Sequence, residues 1–184
     1  MQVTVLGSGS AGNCTLIETE TTSILVDAGL SARQIIQRLQ LIGRSIDSLT
    51  GVVLTHEHTD HTRGLAVLCR SKLLPVYANR FTAEAVTTSP DWNGRAQISW
   101  RLFSTGCPFE IGDLLVESFS VPHDAQDPVG FTIRHQMHAV AILTDLGHAT
   151  KLVVERVRGI DAIVLEANHD LKLLQEDTDR KSVV

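Results

Sequence analysis

The chain of 184 residues is poor in several things, and each shortage excludes something. It has three cysteines, Cys14, Cys69 and Cys107, an odd number with no Cys-x-x-Cys pair, which argues against a disulfide framework or a zinc ribbon and makes a reducing cytoplasm the default setting. Aromatic residues are only 4% of the chain, so a core has to be built from Val, Ile, Leu and Ala. No apolar run approaches the ~20 residues that span a bilayer, and no charged segment leads into a long apolar one at the N-terminus, so neither a membrane span nor a secretory signal is expected. Nor is positive charge in excess: 16 Lys and Arg against 21 Asp and Glu leave a net charge of −5, which excludes a broad basic face for gripping nucleic acid while leaving room for a local phosphate site.

What the chain does have is short β-branched runs alternating with helical spacing. Residues 2–6, 15–18 and 23–27 read as three successive strands. Ser31 and Gln34 form a capping-box pattern ahead of Ile35, Ile36, Leu39 and Ile42, with Gly43 as a terminator. Residues 52–55 are a short buried strand leading into histidines. Helices are expected over 63–70, 81–88 and 150–158, and strands over 75–78, 114–120, 131–135, 139–144 and 162–165. Several early strands followed by mixed strand and helix do not suit a doubly wound parallel sheet; two mixed sheets packed face to face, with helices outside, fit better. One α/β (α+β) domain over residues 1–174 and a polar tail over 175–184 are expected.

Histidine carries the chemistry. Three of the eight fall in His56-Glu57-His58-Thr59-Asp60-His61. Side chains alternate in an extended segment, so His56 and His58 point the same way and can share a cation, while Asp60 and His61 lie where a turn into a helix can aim them at a second. Imidazole with carboxylate suits zinc, manganese or iron rather than calcium. Two ions need more ligands. His123 and Asp145 stand at the exits of the 114–120 and 139–144 strands, and a carboxylate closing a buried run is unusual unless it has a partner.

The stretch Thr55 to His61 resembles the signature of the metallo-β-lactamase superfamily, which implies an αβ/βα four-layer sandwich with a two-metal site. On that resemblance, His56, His58 and His123 hold one metal, Asp60 and His61 the other, and Asp145 bridges them. Asp27, in Leu25-Val26-Asp27-Ala28-Gly29, matches a motif whose carboxylate anchors the metal loop without touching metal. Residues 7–14, 26–31, 121–125 and 166–170 are together similar to the WalJ/YycJ-type branch of that superfamily, whose members are metal-dependent nucleases, including a 5′-to-3′ exonuclease. The family supplies a further ligand histidine from a segment beyond its Asn-His-Asp motif. Residues 171–184 hold no counterpart, so a C-terminally shortened fold, a weak second site and impaired catalysis are expected.

A two-metal site suits hydrolysis by metal-bound hydroxide. Asp60 is expected to act in catalysis as well as to ligate, and His169 either to donate to the phosphate or leaving group or to support its loop. The run Gly7-Ser8-Gly9-Ser10-Ala11-Gly12-Asn13 is either an anion nest, with Ser8, Ser10 and Asn13 on a phosphate, or a plain turn between strands. Nucleic acid is the expected substrate. Thioester or lactam hydrolysis, oxygen reduction at two irons, and metal binding without catalysis remain as alternatives, and no oligomeric state follows from the sequence.

Overall fold

The structure, a computed structural model, describes residues 1–90, 92 and 97–166. His169, the 167–170 part of the last motif, the boundary at 174 and the 175–184 tail lie outside the described residues.

The six-stranded sheet runs in chain order: β1 (Gln2–Gly7), β2 (Cys14–Glu18), β3 (Ser23–Val26), β4 (Gly51–Val53), β5 (Pro75–Asn79) and β6 (Ser99–Phe103). The first three pair antiparallel and the rest parallel. Parallel neighbours need crossovers. These are α1 (Ala32–Leu41), then α2 (Thr59–Thr62) with α3 (Leu65–Ser71), then α4 (Arg80–Thr88). The five-stranded sheet is ordered β11-β10-β9-β8-β7, from β7 (Pro108–Ile111), β8 (Leu114–Ser120), β9 (Val129–His135), β10 (His138–Leu143) and β11 (Ala162–Leu165), with α5 (Lys151–Arg156) crossing from β10 to its parallel partner β11.

Period-two alternation explains the layering. Leu16, Leu25, Val52 and Val76 turn to one face of the larger sheet and pack with Ile35, Leu39, Leu65, Leu68 and Val86 of the helices. Their neighbours Ile17, Ile24, Val26 and Val53 turn to the other face and meet Val116, Phe131, Ile133, Val140 and Ile142 of the smaller sheet. Phe119, Val121 and Leu143 cover the far side of that sheet together with Val153 of α5. Helices, sheet, sheet and helix make four layers, as the αβ/βα expectation requires. Among the described residues, no helix is long and apolar enough to cross a membrane.

The capping box at Ser31 forms as read: its hydroxyl accepts from Gln34 N–H, and Gln34 Oε1 accepts from Ser31 N–H at 3.1 Å. Several elements differ from the sequence reading. β6 and β7 are additional strands. A four-residue helix, α2, begins inside the histidine cluster, with His58 as its N-cap residue. The strand before the cluster ends at Val53 rather than Thr55, because the backbone of Thr55 turns to accept from Val129 N–H of the other sheet at 3.1 Å.

Candidate metal centre

The centre lies at one edge of the sandwich, where chains leave β4, β8 and β10. Residue Gly51 and the two valines of β4 are buried, so this strand delivers Leu54-Thr55-His56 from deep in the core. Backbone hydrogen bonds then weave three loops together. Asn13 N–H donates to Asp60 O at 2.7 Å, Ala28 N–H to His61 O at 2.8 Å, Gly29 N–H to Asn13 O at 2.8 Å and Gly64 N–H to Ala28 O at 2.8 Å. Gly29 is required by this closeness, because a Cβ there would overlap the Asp60 carbonyl.

The structure brings His56, His58 and His123 together. Ring centroids stand 4.7 Å apart for His56–His58 and for His56–His123, and 5.0 Å for His58–His123, with His58 Nδ1 3.2 Å from His123 Nε2. A second group shares His56 and adds His61 and Asp145; in each group one donor atom per residue lies within 4.8 Å of the others. Asp145 Oδ2 is 2.7 Å from His61 Nε2 and 3.8 Å from His56 Nε2. Asp60 stands at the margin of this second group, its Oδ2 3.6 Å from His61 Nε2. The sequence reading gave His56 to one ion only; in the structure the same ring also stands beside His61 and Asp145.

Behind the histidines sits Asp27, 1% exposed. Its Oδ1 accepts from Thr55 N–H at 2.9 Å, its Oδ2 accepts from Thr55 Oγ1 at 2.9 Å, and Oδ2 lies 2.8 Å from His61 Nδ1. Asp27 has φ 63° and Asp145 φ 49°, so both carboxylates leave a strand through left-handed backbone. Such conformations cost energy in residues other than glycine and concentrate at functional sites.

Burial, and then the neighbouring imidazoles with His61 first, push His56 down to about 2, so this ring is neutral. Burial also holds His123 below its ordinary value. At His61 burial opposes charge, but Asp27 on one nitrogen and Asp145 on the other outweigh it and raise the imidazole to about 10. Asp145 is likewise resisted by burial yet held below the usual carboxylate range by His61.

Whether a cation suits these residues turns on His56. Its Nδ1 is 3.0 Å from Thr55 Oγ1, whereas Nε2 is buried with no hydrogen-bond partner among the described residues. A buried lone pair without a donor is costly in an apolar protein and is what a Lewis acid would satisfy. The donor set of imidazoles and carboxylates fits a divalent transition ion.

Beside the cluster opens a cavity of about 310 Å³, walled by Ser8, Ser10 and the backbone between them on one side and by Asp60, Asp145 and Glu166 on the other. Ser8 and Ser10 are exposed, as a phosphate contact would need. Asn13 is not: it is 3% exposed, its Oδ1 accepts from Gly9 N–H at 3.0 Å, and its Nδ2 lies 3.1 Å from His61 Nε2. Its amide therefore holds the glycine-rich loop through Gly9 and packs beside His61 instead of facing the cavity.

Glu57 and Asn79 escaped the sequence reading. Glu57 Oε1 accepts from Gln126 N–H at 2.9 Å, and Asn79 Nδ2 donates to Asp127 O at 2.7 Å, both on the loop that carries His123. The only sequence signal was Asn79 immediately before a helical stretch, which reads as a cap.

A family model described as "Beta-lactamase superfamily domain" matches residues 22–177. The chain is 35% identical over 182 residues to Exodeoxyribonuclease YycJ of Bacillus anthracis, covering 95% of this chain and 66% of that protein. It is 36% identical over 172 residues to Exodeoxyribonuclease WalJ of Streptococcus pneumoniae, covering 93% of this chain and 64% of that one. It thus spans just under two thirds of the length of these curated relatives. Among solved structures, the metallo-beta-lactamase fold protein YhfI of Bacillus subtilis superposes with TM-score 0.75 at 21% identity, over 98% of this chain and 75% of that one. Zn²⁺-bound PqqB of Methylobacterium extorquens superposes with TM-score 0.77 at 18% identity, over 91% and 73%. At such identities these two likenesses speak to the fold alone.

Proposed function

This chain belongs to the beta-lactamase superfamily, and from that membership we propose that it is a metal-dependent phosphodiester hydrolase, a nuclease acting on DNA in the manner of a 5′-to-3′ exonuclease. The observation that carries the reading is the convergence of two donor groups, His56-His58-His123 and His56-His61-Asp145, beside a cavity edged by hydroxyls. The names of the YycJ and WalJ relatives support DNA as substrate.

In this reading His56, His58 and His123 hold one divalent ion, and His61 and Asp60 hold a second, with Asp145 between them. Zinc, manganese and iron all suit the donors. Two such ions, when bound, supply hydroxide at neutral pH and offset charge on a phosphodiester. The chain's own part is to place and restrain. Asp27 holds the His61 ring through Nδ1, leaving Nε2 turned to the cavity side. Asp60 is one of the carboxylates lining the cavity, and in this reading it accepts a hydrogen bond from water there as well as ligating. Ser8 and Ser10 offer hydroxyls to a phosphate oxygen, with His169 proposed as a donor from outside the described residues. The three cysteines are unpaired, in keeping with a reducing cytoplasm as the working compartment.

The test is metal content by mass spectrometry, with hydrolysis of 5′-phosphorylated DNA, bis-p-nitrophenyl phosphate, nitrocefin and S-lactoylglutathione measured in parallel. DNA and the phosphodiester should be cleaved with added Mn²⁺ or Zn²⁺, and His58→Ala should abolish both reactions. Turnover of nitrocefin or the thioester alone would replace this reading with another hydrolase on the same fold.

A further inference from the structure

His56 and His58 follow β4 of the larger sheet, whereas His123 follows β8 of the smaller one. The three imidazoles therefore meet only if the loop over residues 121–128 is held at a fixed place relative to the other sheet. Val121 N–H donates to Pro128 O at 3.1 Å and closes the base of that loop. Val129 N–H to Thr55 O at 3.1 Å and Gln126 N–H to Glu57 Oε1 at 2.9 Å tie it to the chain leaving β4, and the Asp127 turn is held from β5.

Asn79 ends β5 in the larger sheet and is 2% exposed. Its Oδ1 accepts from Thr82 N–H at 2.9 Å, capping α4, and its Nδ2 donates to the carbonyl of Asp127 at 2.7 Å. Both partners are backbone groups of fixed polarity, so the orientation of the carboxamide is determined. Serine, threonine or aspartate would cap the helix as well as asparagine does. Capping alone therefore leaves the buried N–H donor without a reason, and that donor is what reaches across to the other sheet. A second tie to the same residue comes from Thr105 Oγ1, which donates to Asp127 Oδ2 at 2.7 Å.

We infer that Asn79 is a positioning residue for the metal centre: it fixes the His123 loop to the sheet that bears His56 and His58, so that the third imidazole stands ready before a cation binds. The inference rests on the reading that these three histidines hold an ion.

The experiment uses the full chain and Zn²⁺ in competition with a chromophoric chelator, together with the melting midpoint of the metal-free protein and the visible absorption of the Co²⁺-loaded form. Asn79→Ser keeps a capping oxygen and removes the donor. Zinc affinity should fall about tenfold, the scale on which residues behind metal ligands act, with a changed cobalt spectrum and a melting midpoint close to that of the parent. Thr105→Val, which leaves the α4 cap untouched, should weaken zinc binding in the same direction, and it decides the matter if Asn79→Ser does not fold. A lowered midpoint with wild-type zinc affinity and cobalt absorption would mean that Asn79 is structural only and would overturn the inference. Zinc binding unaltered by His123→Ala would instead overturn the reading of the centre itself.

Discussion

Asp27 Oδ2 lies 2.8 Å from His61 Nδ1, and the same carboxylate takes two hydrogen bonds from Thr55 immediately ahead of His56. One buried side chain thus sets the ring orientation of a histidine from α2 and the path of the strand exit that carries the other two. Asn tolerates left-handed backbone nearly as well as Asp, so Asp27→Asn removes charge with little change of backbone preference. Metal affinity should fall by about 10–100-fold while the chain still folds, as read by chelator competition and circular dichroism. Unchanged affinity would mean that the carboxylate serves only the fold.

The proton on His61 gives a second prediction. Its folded value is raised to about 10, so in the metal-free chain at pH 7.5 the ring is protonated between two carboxylates. An imidazole must give up a proton to ligate. Binding at His61 and Asp145 should therefore release about one proton, and apparent affinity there should rise with pH up to that value. Zinc calorimetry in two buffers of different ionisation enthalpy reads the number. It should drop by about one in His61→Ala, and equal heats in both buffers would refute the assignment.

Gly29→Ala forces a methyl group into the carbonyl of Asp60. Overpacking typically costs about 1–3 kcal/mol, and the upper end is expected because the obstacle is backbone. Gly43, at φ 72° with nothing within 4 Å of a built Cβ, is the control, and Gly43→Ala should cost about 1–2 kcal/mol from backbone preference alone. Urea unfolding of the metal-free proteins compares them. Gly29→Ala should also bind zinc more weakly, since Asp60 and His61 share the displaced loop, whereas Gly43→Ala should not.

The glycine-rich loop divides into two kinds of residue. Ser8→Ala with Ser10→Ala should leave unfolding unchanged and raise KM for DNA more than for bis-p-nitrophenyl phosphate, because both hydroxyls are at the cavity edge. Asn13→Ala leaves the buried Gly9 N–H without its acceptor, at a cost of about 1–3 kcal/mol. If the serine pair proved the more destabilising, Ser8 and Ser10 would be structural residues of the loop and not contacts for substrate.

The histidine cluster was legible from residue type and spacing, with His56 and His58 two apart just past a buried strand, although that strand ends at Val53 and His58 is already the N-cap residue of α2. Asp27 was legible only through resemblance: nothing in Leu25-Val26-Asp27 says which loop its carboxylate will reach, and Thr55 is 28 residues away in the chain. The bonds of Glu57 and Asn79 to the His123 loop were invisible for the same reason, since their partners Gln126 and Asp127 become neighbours only when the two sheets pack. β6 escaped because Ser-Trp-Arg-Leu-Phe on a sheet edge shows no clean alternation, with Arg101 and Leu102 both exposed. β7 escaped because a four-residue strand opening on proline reads as a turn. Local periodicity encodes elements and their faces, whereas side-chain bonds between sheets depend on a register that no short window contains.

The left-handed backbone at Asp27 and Asp145 restricts what substitution can do at either position. Few residues occupy that conformation cheaply: glycine, asparagine and aspartate. Of those three, only aspartate is an anion. Glycine would keep the chain path and lose the side chain, asparagine would keep the shape and lose the charge, and glutamate would keep the charge in a backbone it does not favour. Conformation and chemistry thus intersect on a single amino acid at each of the two positions, and no route of single tolerated replacements leads away from it.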